Sequence, residues 1–291
     1  MNPLPGPLPA EPFFLKTGLG ERFCLFYPPA AGKCRGSLLY VHPFGDEMNK
    51  ARRMVAHQAR QFAALGFGVL QMDLLGCGDS SGEFGDASWE QWKEDLALGN
   101  KWLQERLGKP VNLWGLRLGA LLALDYARSS TYKIDGIILW QPVLNGTSYL
   151  TQLLRLRVAN DMLGDGKEKN GGTQAMREAL KAGDTLEIAG YDIAPALALA
   201  IDSLDATSLL MTTCPIHWFE VVSAADRPMT PAGLRVVSAW EKQGVDLHTH
   251  IVPCLPFWAT QEISECPELL SATSSIAADL SSISRMASHE L

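Results

Sequence analysis

The sequence predicts an α/β fold in which helices cover both faces of a mainly parallel, doubly wound β-sheet. Short apolar runs rich in β-formers, each bounded by turn residues, alternate with longer stretches in which apolar residues recur at helical spacing. Parallel strands need crossover connections, so this alternation is typical of a parallel sheet with helical layers. The 291 residues, 47% hydrophobic and 20% charged, suffice for one large core.

Seven segments have the composition of strands and five have the spacing of helices. The predicted strands are residues 22–27, 37–42, 68–72, 111–114, 136–141, 216–222 and 247–252. The predicted helices are residues 50–65, 88–107, 116–128, 231–243 and 264 to about 283. Two starts carry capping residues, because Ser88 precedes Gln91 by three positions and Thr230 stands directly before Pro231.

Residues 144–213 interrupt this alternation. They contain a glycine-rich charged stretch (164–172), a short helical segment (173–181) and an apolar segment (193–204). We therefore interpret residues 1–143 and 214–291 as an α/β core and residues 144–213 as a cap inserted between two of its strands.

Composition argues against several classes of function. The net charge is −7 and no stripe of Lys or Arg is present, so nucleic acid is not an expected partner. No apolar stretch reaches the roughly 20 residues of a membrane span, and the N-terminus does not resemble a secretory signal, so we expect a cytoplasmic protein. The six cysteines lack metal-site spacing and are expected to be free thiols; no metal or cofactor is predicted.

Residues 111–123, VNLWGLRLGALLA, predict a strand, a sharp turn and a helix. Gly115 and Gly119 have the spacing of the glycines in a Gly-x-Ser-x-Gly nucleophile elbow, where side chains would collide with neighbouring elements. Arg117 stands where that motif has serine. A guanidinium stays protonated and cannot attack an acyl group, but its planar fork suits a carboxylate or phosphate. The alternative interpretation of the two glycines is plain helix packing.

A second loop is expected beside this turn. The strand 37–42 ends in His42-Pro43-Phe44, and Pro43 has no N–H, so Phe44 and Leu118 are the predicted backbone donors of an oxyanion hole. His42 is a candidate for activating water. The alternative is a simple His-Pro turn.

The remaining candidates are spread along the chain. In residues 72–82, MDLLGCGDSSG, Cys77 is either a displaced nucleophile or a structural loop cysteine. Asp226, after the strand 216–222, fits the position of a catalytic acid.

No histidine stands at the position expected for the third catalytic residue. Phe257 and Trp258 stand where a histidine would follow the last strand. His248 and His250 share one face of that strand and are interpreted as packing or surface residues.

These motifs resemble the α/β-hydrolase superfamily, and more closely the exosortase A system-associated hydrolase 2 group of bacteria that make exopolysaccharide and sort proteins with a PEP-CTERM tail. The resemblance covers most of the chain. It rests on His42-Pro-Phe-Gly with Glu47-Met-Asn-Lys50, Asp73 to Gly82, Gly115-Leu-Arg-Leu-Gly119 and Pro256-Phe-Trp258. It implies an α/β-hydrolase fold, a hydrolase activity, and exopolysaccharide or export-machinery proteins as partners.

Three functions remain open at this point. The first is a non-hydrolytic binder of a small anionic acyl or sugar ligand held by Arg117. The second is an esterase-like or acyltransferase-like enzyme in which His42, Asp226 or Cys77 activates water and Arg117 stabilises the oxyanion. The third is a non-catalytic scaffold in which Arg117 pairs with Asp226. Proximity of Arg117 to Asp226 would favour the scaffold or a preorganised binder, and open space beside Arg117 the other two.

Overall fold

A sheet of eight strands forms the centre of the molecule, and the predicted α/β-hydrolase fold class is confirmed. The computed structural model describes residues 9–30, 34–163 and 172–280, with the backbone alone for 160–163. The sheet order is β1-β2-β4-β3-β5-β6-β9-β10, and within it β2 alone runs opposite to the other seven strands. The strands are β1 (Glu11–Thr17), β2 (Gly20–Tyr27), β3 (Gly36–Val41), β4 (Phe67–Met72), β5 (Val111–Leu116), β6 (Ile134–Trp140), β9 (Ile216–Val222) and β10 (Leu247–Pro253), with a separate pair β7 (Leu186–Ile188) and β8 (Tyr191–Ile193).

Helices cover both faces of this sheet. The helices are α1 (Gly45–Ala64), α2 (Trp89–Leu107), α3 (Leu118–Ser129), α4 (Gly146–Leu163), α5 (Gly172–Ala182), α6 (Pro195–Asp202), α7 (Pro231–Lys242) and α8 (Pro267–Ser275). Side chains of α2, α3 and α7 pack in one core cluster, and those of α8 and most of α1 pack in another. Consecutive side chains of β5 point to opposite faces of the sheet, so Leu113 packs in the first cluster and Trp114 in the second.

The two predicted helix caps are present. Ser88 Oγ accepts a hydrogen bond from the amide of Gln91 at 3.2 Å, and Thr230 Oγ1 accepts one from the amide of Gly233 at 3.1 Å. Each bond satisfies one of the N–H groups that a helix start leaves without an intrahelical partner.

The structure also differs from the prediction at several boundaries. The first helix begins five residues before the predicted residue 50 and the last begins three residues after residue 264. The strand β1 and the helix α4 were not predicted. β1 is largely exposed, so it lacks the apolar run of a core strand, and α4 shows little amphipathic pattern in its sequence. Residues 164–171 and the end of the predicted last helix, 281–283, lie outside the described residues.

The segment between β6 and β9 begins and ends at the same place on the core, where residues 144–146 contact residues 204–206. Asn145 and Asp205 form an isolated antiparallel bridge, and Asn145 Nδ2 donates to Asp205 Oδ2 at 3.0 Å. The Gly146 amide donates to the Leu204 carbonyl and the Ala206 amide to the Leu144 carbonyl, both at 2.8 Å. The interpretation of residues 144–213 as a cap remains a prediction. Residues near the two ends of this segment contact each other.

Two cysteines correct the expectation of six free thiols. Cys254 and Cys266 form a disulfide that closes the loop after β10. Cys24, Cys34, Cys77 and Cys214 are free. The loop folds back so that residues twelve positions apart meet, which the spacing alone does not reveal.

None of the helices in the described residues combines the length and hydrophobicity that a bilayer crossing requires. Likewise, across the described ranges no group of three or more His, Cys, Asp or Glu side chains is arranged to hold a metal ion.

Three histidines stack on one face of β9 and β10. The His217 ring lies 4.8 Å from that of His248 and 5.6 Å from that of His250, and His217 Nδ1 is 3.3 Å from His250 Nε2. His217 is almost fully buried. Burial, followed by the two neighbouring histidines, lowers the pKa of His217 from 6.5 to about 4.

We expect His217 to make the protein less stable in acid. Between pH 6.5 and about 4 the unfolded chain takes up a proton at this position and the folded chain does not. The free energy of unfolding is therefore unaffected by His217 above this window and falls as the pH drops through it. Urea denaturation across that pH range should show a shallower fall for His217→Leu than for wild type.

The matched control is His57→Leu, because the His57 side chain is 42% exposed. It should retain the wild-type pH slope. An unchanged slope in His217→Leu would contradict the assignment.

Candidate functional site

Arg117 lies at the turn between β5 and α3 with a backbone conformation that is rare for a residue with a side chain. Its φ is 55° and its ψ is −119°. Its amide donates to the Trp140 carbonyl at 3.0 Å, and its carbonyl accepts from the amides of Ala120 and Val143, each at 3.1 Å. Such backbone strain costs about 1–3 kcal/mol and persists only where surrounding contacts enforce it. These three hydrogen bonds supply part of that enforcement.

Gly115 and Gly119 permit the close packing that shapes the turn. A Cβ on Gly119 would collide with the carbonyl oxygen of Val41 and lie 2.5 Å from that of His42. A Cβ on Gly115 would lie 2.7 Å from the amide nitrogen of Ala120. The first turn of α3 therefore rests directly on the end of β3, beside the loop that follows it.

The Gly119→Ala variant should lose stability because no backbone atom here can move away without separating α3 from β3. We expect a loss of about 1–3 kcal/mol in the free energy of unfolding, the usual range for overpacking. Chemical denaturation measures it. Gly18→Ala is the control, since a Cβ at Gly18 would have no atom within 4 Å. Equal stability of the two variants would argue against the tight contact.

The two predicted oxyanion donors lie at neighbouring helix starts. Phe44 directly precedes α1 and Leu118 is the first residue of α3. No acceptor for either amide N–H is found within the described residues. Helix N-termini carry a partial positive charge and attract anions or carbonyl oxygens. Both amides therefore remain candidates for binding an oxygen atom of a ligand.

The Arg117 side chain contacts three elements. Its Nε donates to Glu47 Oε1 at 3.0 Å and its Nη1 donates to the Gln141 carbonyl at 3.4 Å. The guanidinium carbon lies 5.5 Å from the ring centroid of Trp258, which is within range of a cation–π contact. The side chain is 18% exposed, so one side of the guanidinium still reaches open space.

Glu47 lies in the first turn of α1 and completes this ion pair. Its side chain is 22% exposed, while its Oε2 atom is buried and has no hydrogen-bond partner within the described residues. Burial raises the pKa of Glu47, and the charge and hydrogen bond of Arg117 oppose that shift only in part. The pair is thus held by a single hydrogen bond between its charged groups.

A cavity of about 260 Å³ opens beside the ion pair. Its floor includes Glu47 and Arg117, and its walls come mostly from the segment between β6 and β9. Most of the wall residues are apolar or aromatic: Phe44, Tyr149, Leu153, Leu156, Ile188, Ala189, Tyr191 and Ile193. A concave apolar space with a few polar groups at one end is the usual form of a small-molecule site.

His42 does not have a nitrogen free for water. The ring is buried, its Nδ1 lies 2.6 Å from the Pro43 carbonyl oxygen, and its Nε2 accepts from the Leu74 amide at 3.1 Å. This pattern assigns the proton to Nδ1 of a neutral ring. Burial lowers the pKa of His42, which also favours the neutral form. His42 thus joins two loops instead of facing the cavity.

Among the described residues, neither Asp226 nor Cys77 forms a hydrogen bond or an ion pair with Arg117. Asp226 is exposed in the loop after β9, and the carboxylate that pairs with Arg117 is that of Glu47. Cys77 is buried, and burial strongly raises the pKa of its thiol, which disfavours a reactive thiolate. The sequence analysis assigned no role to Glu47, although Glu47 belongs to the Glu47-Met-Asn-Lys50 motif. For Trp258 it predicted only that this residue stands where a histidine is expected.

A double-mutant cycle should measure the Arg117–Glu47 pair. Arg117→Met leaves Glu47 as a partly buried carboxylate without its ion-pair partner, so the free energy of unfolding near neutral pH should fall by about 1–3 kcal/mol. Adding Glu47→Gln should recover most of that loss. Chemical denaturation of the two single variants and the double variant gives the coupling.

Asp46→Asn supplies the matched control, because the Asp46 side chain is 71% exposed and lies near Lys50. Combined with Arg117→Met, it should recover nothing. Additivity of the Arg117 and Glu47 changes within about 0.5 kcal/mol would mean that the pair contributes nothing to stability.

Comparison with known proteins gives one family match and many structural matches. A family model described as serine aminopeptidase, S33, matches residues 32–181. No curated protein matches the sequence at a significant level.

Three solved structures illustrate the structural likeness. A thermostable carboxyl esterase from Bacillus coagulans in complex with glycerol has a TM-score of 0.64 at 15% identity, covering 94% of this chain and 99% of that one. Est1E from Butyrivibrio proteoclasticus with bound ferulic acid has a TM-score of 0.62 at 13% identity, covering 92% and 96%. A soluble variant of monoglyceride lipase from Saccharomyces cerevisiae with a substrate analogue has a TM-score of 0.63 at 13% identity, covering 94% and 96%. At these identities the likeness concerns the fold alone.

Proposed function

Because the chain belongs to the serine aminopeptidase S33 family of α/β-hydrolases, we propose that it is a non-hydrolytic member that binds a small anionic acyl ligand. The observation that carries this proposal is the position of Arg117, which lies at the floor of an apolar cavity of about 260 Å³. In this proposal Arg117 occupies the place of the nucleophilic serine. An arginine there binds an acyl carboxylate but forms no acyl-enzyme intermediate.

The chemistry of the cavity supports an acyl chain over a sugar as the ligand. Its walls are mainly aliphatic and aromatic, whereas a sugar acid needs several hydrogen-bond partners around its ring. Arg117 Nη2 has no acceptor within the described residues, and neither do the amides of Phe44 and Leu118. Arg117 and Phe44 both line the cavity, so the free Nη2 and the Phe44 amide are the donors proposed for the ligand carboxylate.

The state of the three predicted bases supports the non-hydrolytic part of the proposal, and the Glu47 carboxylate at the floor of the cavity is engaged by Arg117. Ester hydrolysis needs a group that accepts a proton from water close to the carbonyl carbon. Both nitrogens of His42 contact backbone groups, the Asp226 side chain is exposed and forms no ion pair with Arg117, and Cys77 is a buried thiol. A scaffold based on an Arg117–Asp226 pair has no support, because Arg117 pairs with Glu47.

The biological setting is a further part of the proposal. The resemblance to the exosortase A system-associated group supports a role in exopolysaccharide or surface-protein export, with an acylated component of that system as the ligand. It also supports export-machinery proteins as partners and a cytoplasmic location.

Thermal denaturation with octanoate, methyl octanoate and glucuronate tests the proposal. Octanoate near a hundred times its Kd should raise the Tm of the wild type by about 4–5 °C, because the ligand binds only the folded chain. Glucuronate should have little effect. Arg117→Met should remove the octanoate response, and methyl octanoate should release no acid in a pH-stat assay.

Arg128→Met is the control, since it removes an arginine from the other end of α3 and should keep the full response. Acid release from methyl octanoate that disappears in Arg117→Met would show an active hydrolase and refute the non-hydrolytic proposal.

A further inference from the structure

We propose that the Glu47 carboxylate is an internal substitute for the carboxylate of the ligand, and that an anion displaces it from Arg117 with the uptake of one proton by Glu47. This inference rests on the proposed binding of an anionic acyl ligand at Arg117. It adds a regulation of that site by pH and predicts a measurable proton count.

The geometry of the Arg117–Glu47 ion pair would allow a ligand anion to replace Glu47. Arg117 Nε and Glu47 Oε1 are 3.0 Å apart, but the second carboxylate oxygen, Oε2, has no hydrogen-bond partner within the described residues. A guanidinium and a carboxylate bind most strongly through two parallel hydrogen bonds. A ligand carboxylate that approaches from the cavity can form the second hydrogen bond that Glu47 does not form.

Repulsion between the bound anion and the Glu47 carboxylate then favours the uptake of a proton. Once a ligand anion lies on Arg117, two negative groups share one guanidinium in a partly buried site, where their repulsion is screened less than in bulk water. The site relieves this repulsion when one carboxylate becomes neutral. Glu47 is the carboxylate that accepts the proton, because burial already favours its protonated form. The exchange converts ionised Glu47, a proton and a free anion into neutral Glu47 and an Arg117–anion pair.

The other charged and titratable groups around Glu47 compensate its charge less than Arg117 does. Lys50, on the same helix, also favours ionised Glu47, but more weakly than Arg117. The Lys50 side chain lies 3.9 Å from Asp46 and is 31% exposed. Tyr149 from α4 and Tyr40 from β3 are buried phenols, and burial raises the pKa of each, so both stay neutral. Arg117 is therefore the cation that both carboxylates would share.

The experiment uses octanesulfonate, an anion that stays ionised at every pH where the protein is folded. Any proton taken up on binding must then come to the protein and not to the ligand. Isothermal titration calorimetry in two buffers of different ionisation enthalpy counts these protons. For wild type we expect close to one proton per bound anion above neutral pH, and an affinity that falls about tenfold per pH unit there.

Two variants isolate the role of Glu47. Glu47→Gln keeps the shape of the side chain but cannot ionise, so it should bind octanesulfonate without proton uptake and with an affinity independent of pH. Asp46→Asn removes the same charge from the same helical turn at an exposed side chain and should keep the wild-type proton count. The wild-type proton count tests the inference even if Glu47→Gln fails to fold.

The outcomes separate this inference from the proposed function. Binding to wild type that is lost in Arg117→Met but involves no proton and no pH dependence overturns the inference and leaves the proposed function intact. Absence of binding to both wild type and Glu47→Gln, or binding that survives in Arg117→Met, overturns both. Proton uptake that persists in Glu47→Gln assigns the proton to another group and also overturns the inference.

Discussion

The contact between the first turn of α3 and the end of β3 is the constraint on which the candidate site depends. Gly119 lies so close to the carbonyl groups of Val41 and His42 that no side chain fits between them. This contact fixes where α3 begins and holds Arg117 in a strained backbone conformation. The loop that leads from β3 into α1 is brought beside the Leu118 amide by the same contact. Glu47, in the first turn of α1, is then within reach of Arg117.

The positive charge of Arg117 is a second constraint on the site. A partly buried guanidinium is stable only when negative or polar groups around it replace the water that it has lost. The compensating groups come from three other strand ends of the parallel sheet. Glu47 follows β3, the carbonyl of Gln141 follows β6, and Trp258 follows β10. Gln141 itself has a φ of 41°, so a second residue next to Arg117 is held in an unusual conformation. Carboxyl ends of parallel strands meet at one edge of a sheet, which is why ligand sites form there.

Local patterns predicted most of the core, whereas contacts between distant residues were not predictable. Strand and helix alternation, and the caps at Ser88 and Thr230, follow from side-chain spacing and hydrogen bonding within a few residues. The partner of Arg117 lies 70 positions away, and chain order suggested Asp226 instead. Which carboxylate reaches an arginine depends on how two loops turn above the sheet, and hydrophobic periodicity carries no information about that direction. The Cys254–Cys266 disulfide escaped prediction for the same reason.

In the proposed function, where Arg117 occupies the place of the nucleophilic serine, an internal carboxylate compensates the guanidinium while the site is empty. Without an anion, the guanidinium would face an apolar cavity unpaired, and the free protein would be destabilised whenever the site is empty. Glu47 provides the anion in the empty state, yet its single hydrogen bond and its unpartnered Oε2 keep that contact weaker than a two-bond pair. The same pair therefore stabilises the free protein and remains exchangeable. In the proposed exchange, which consumes a proton, the occupancy of the site follows both the concentration of ligand and the pH.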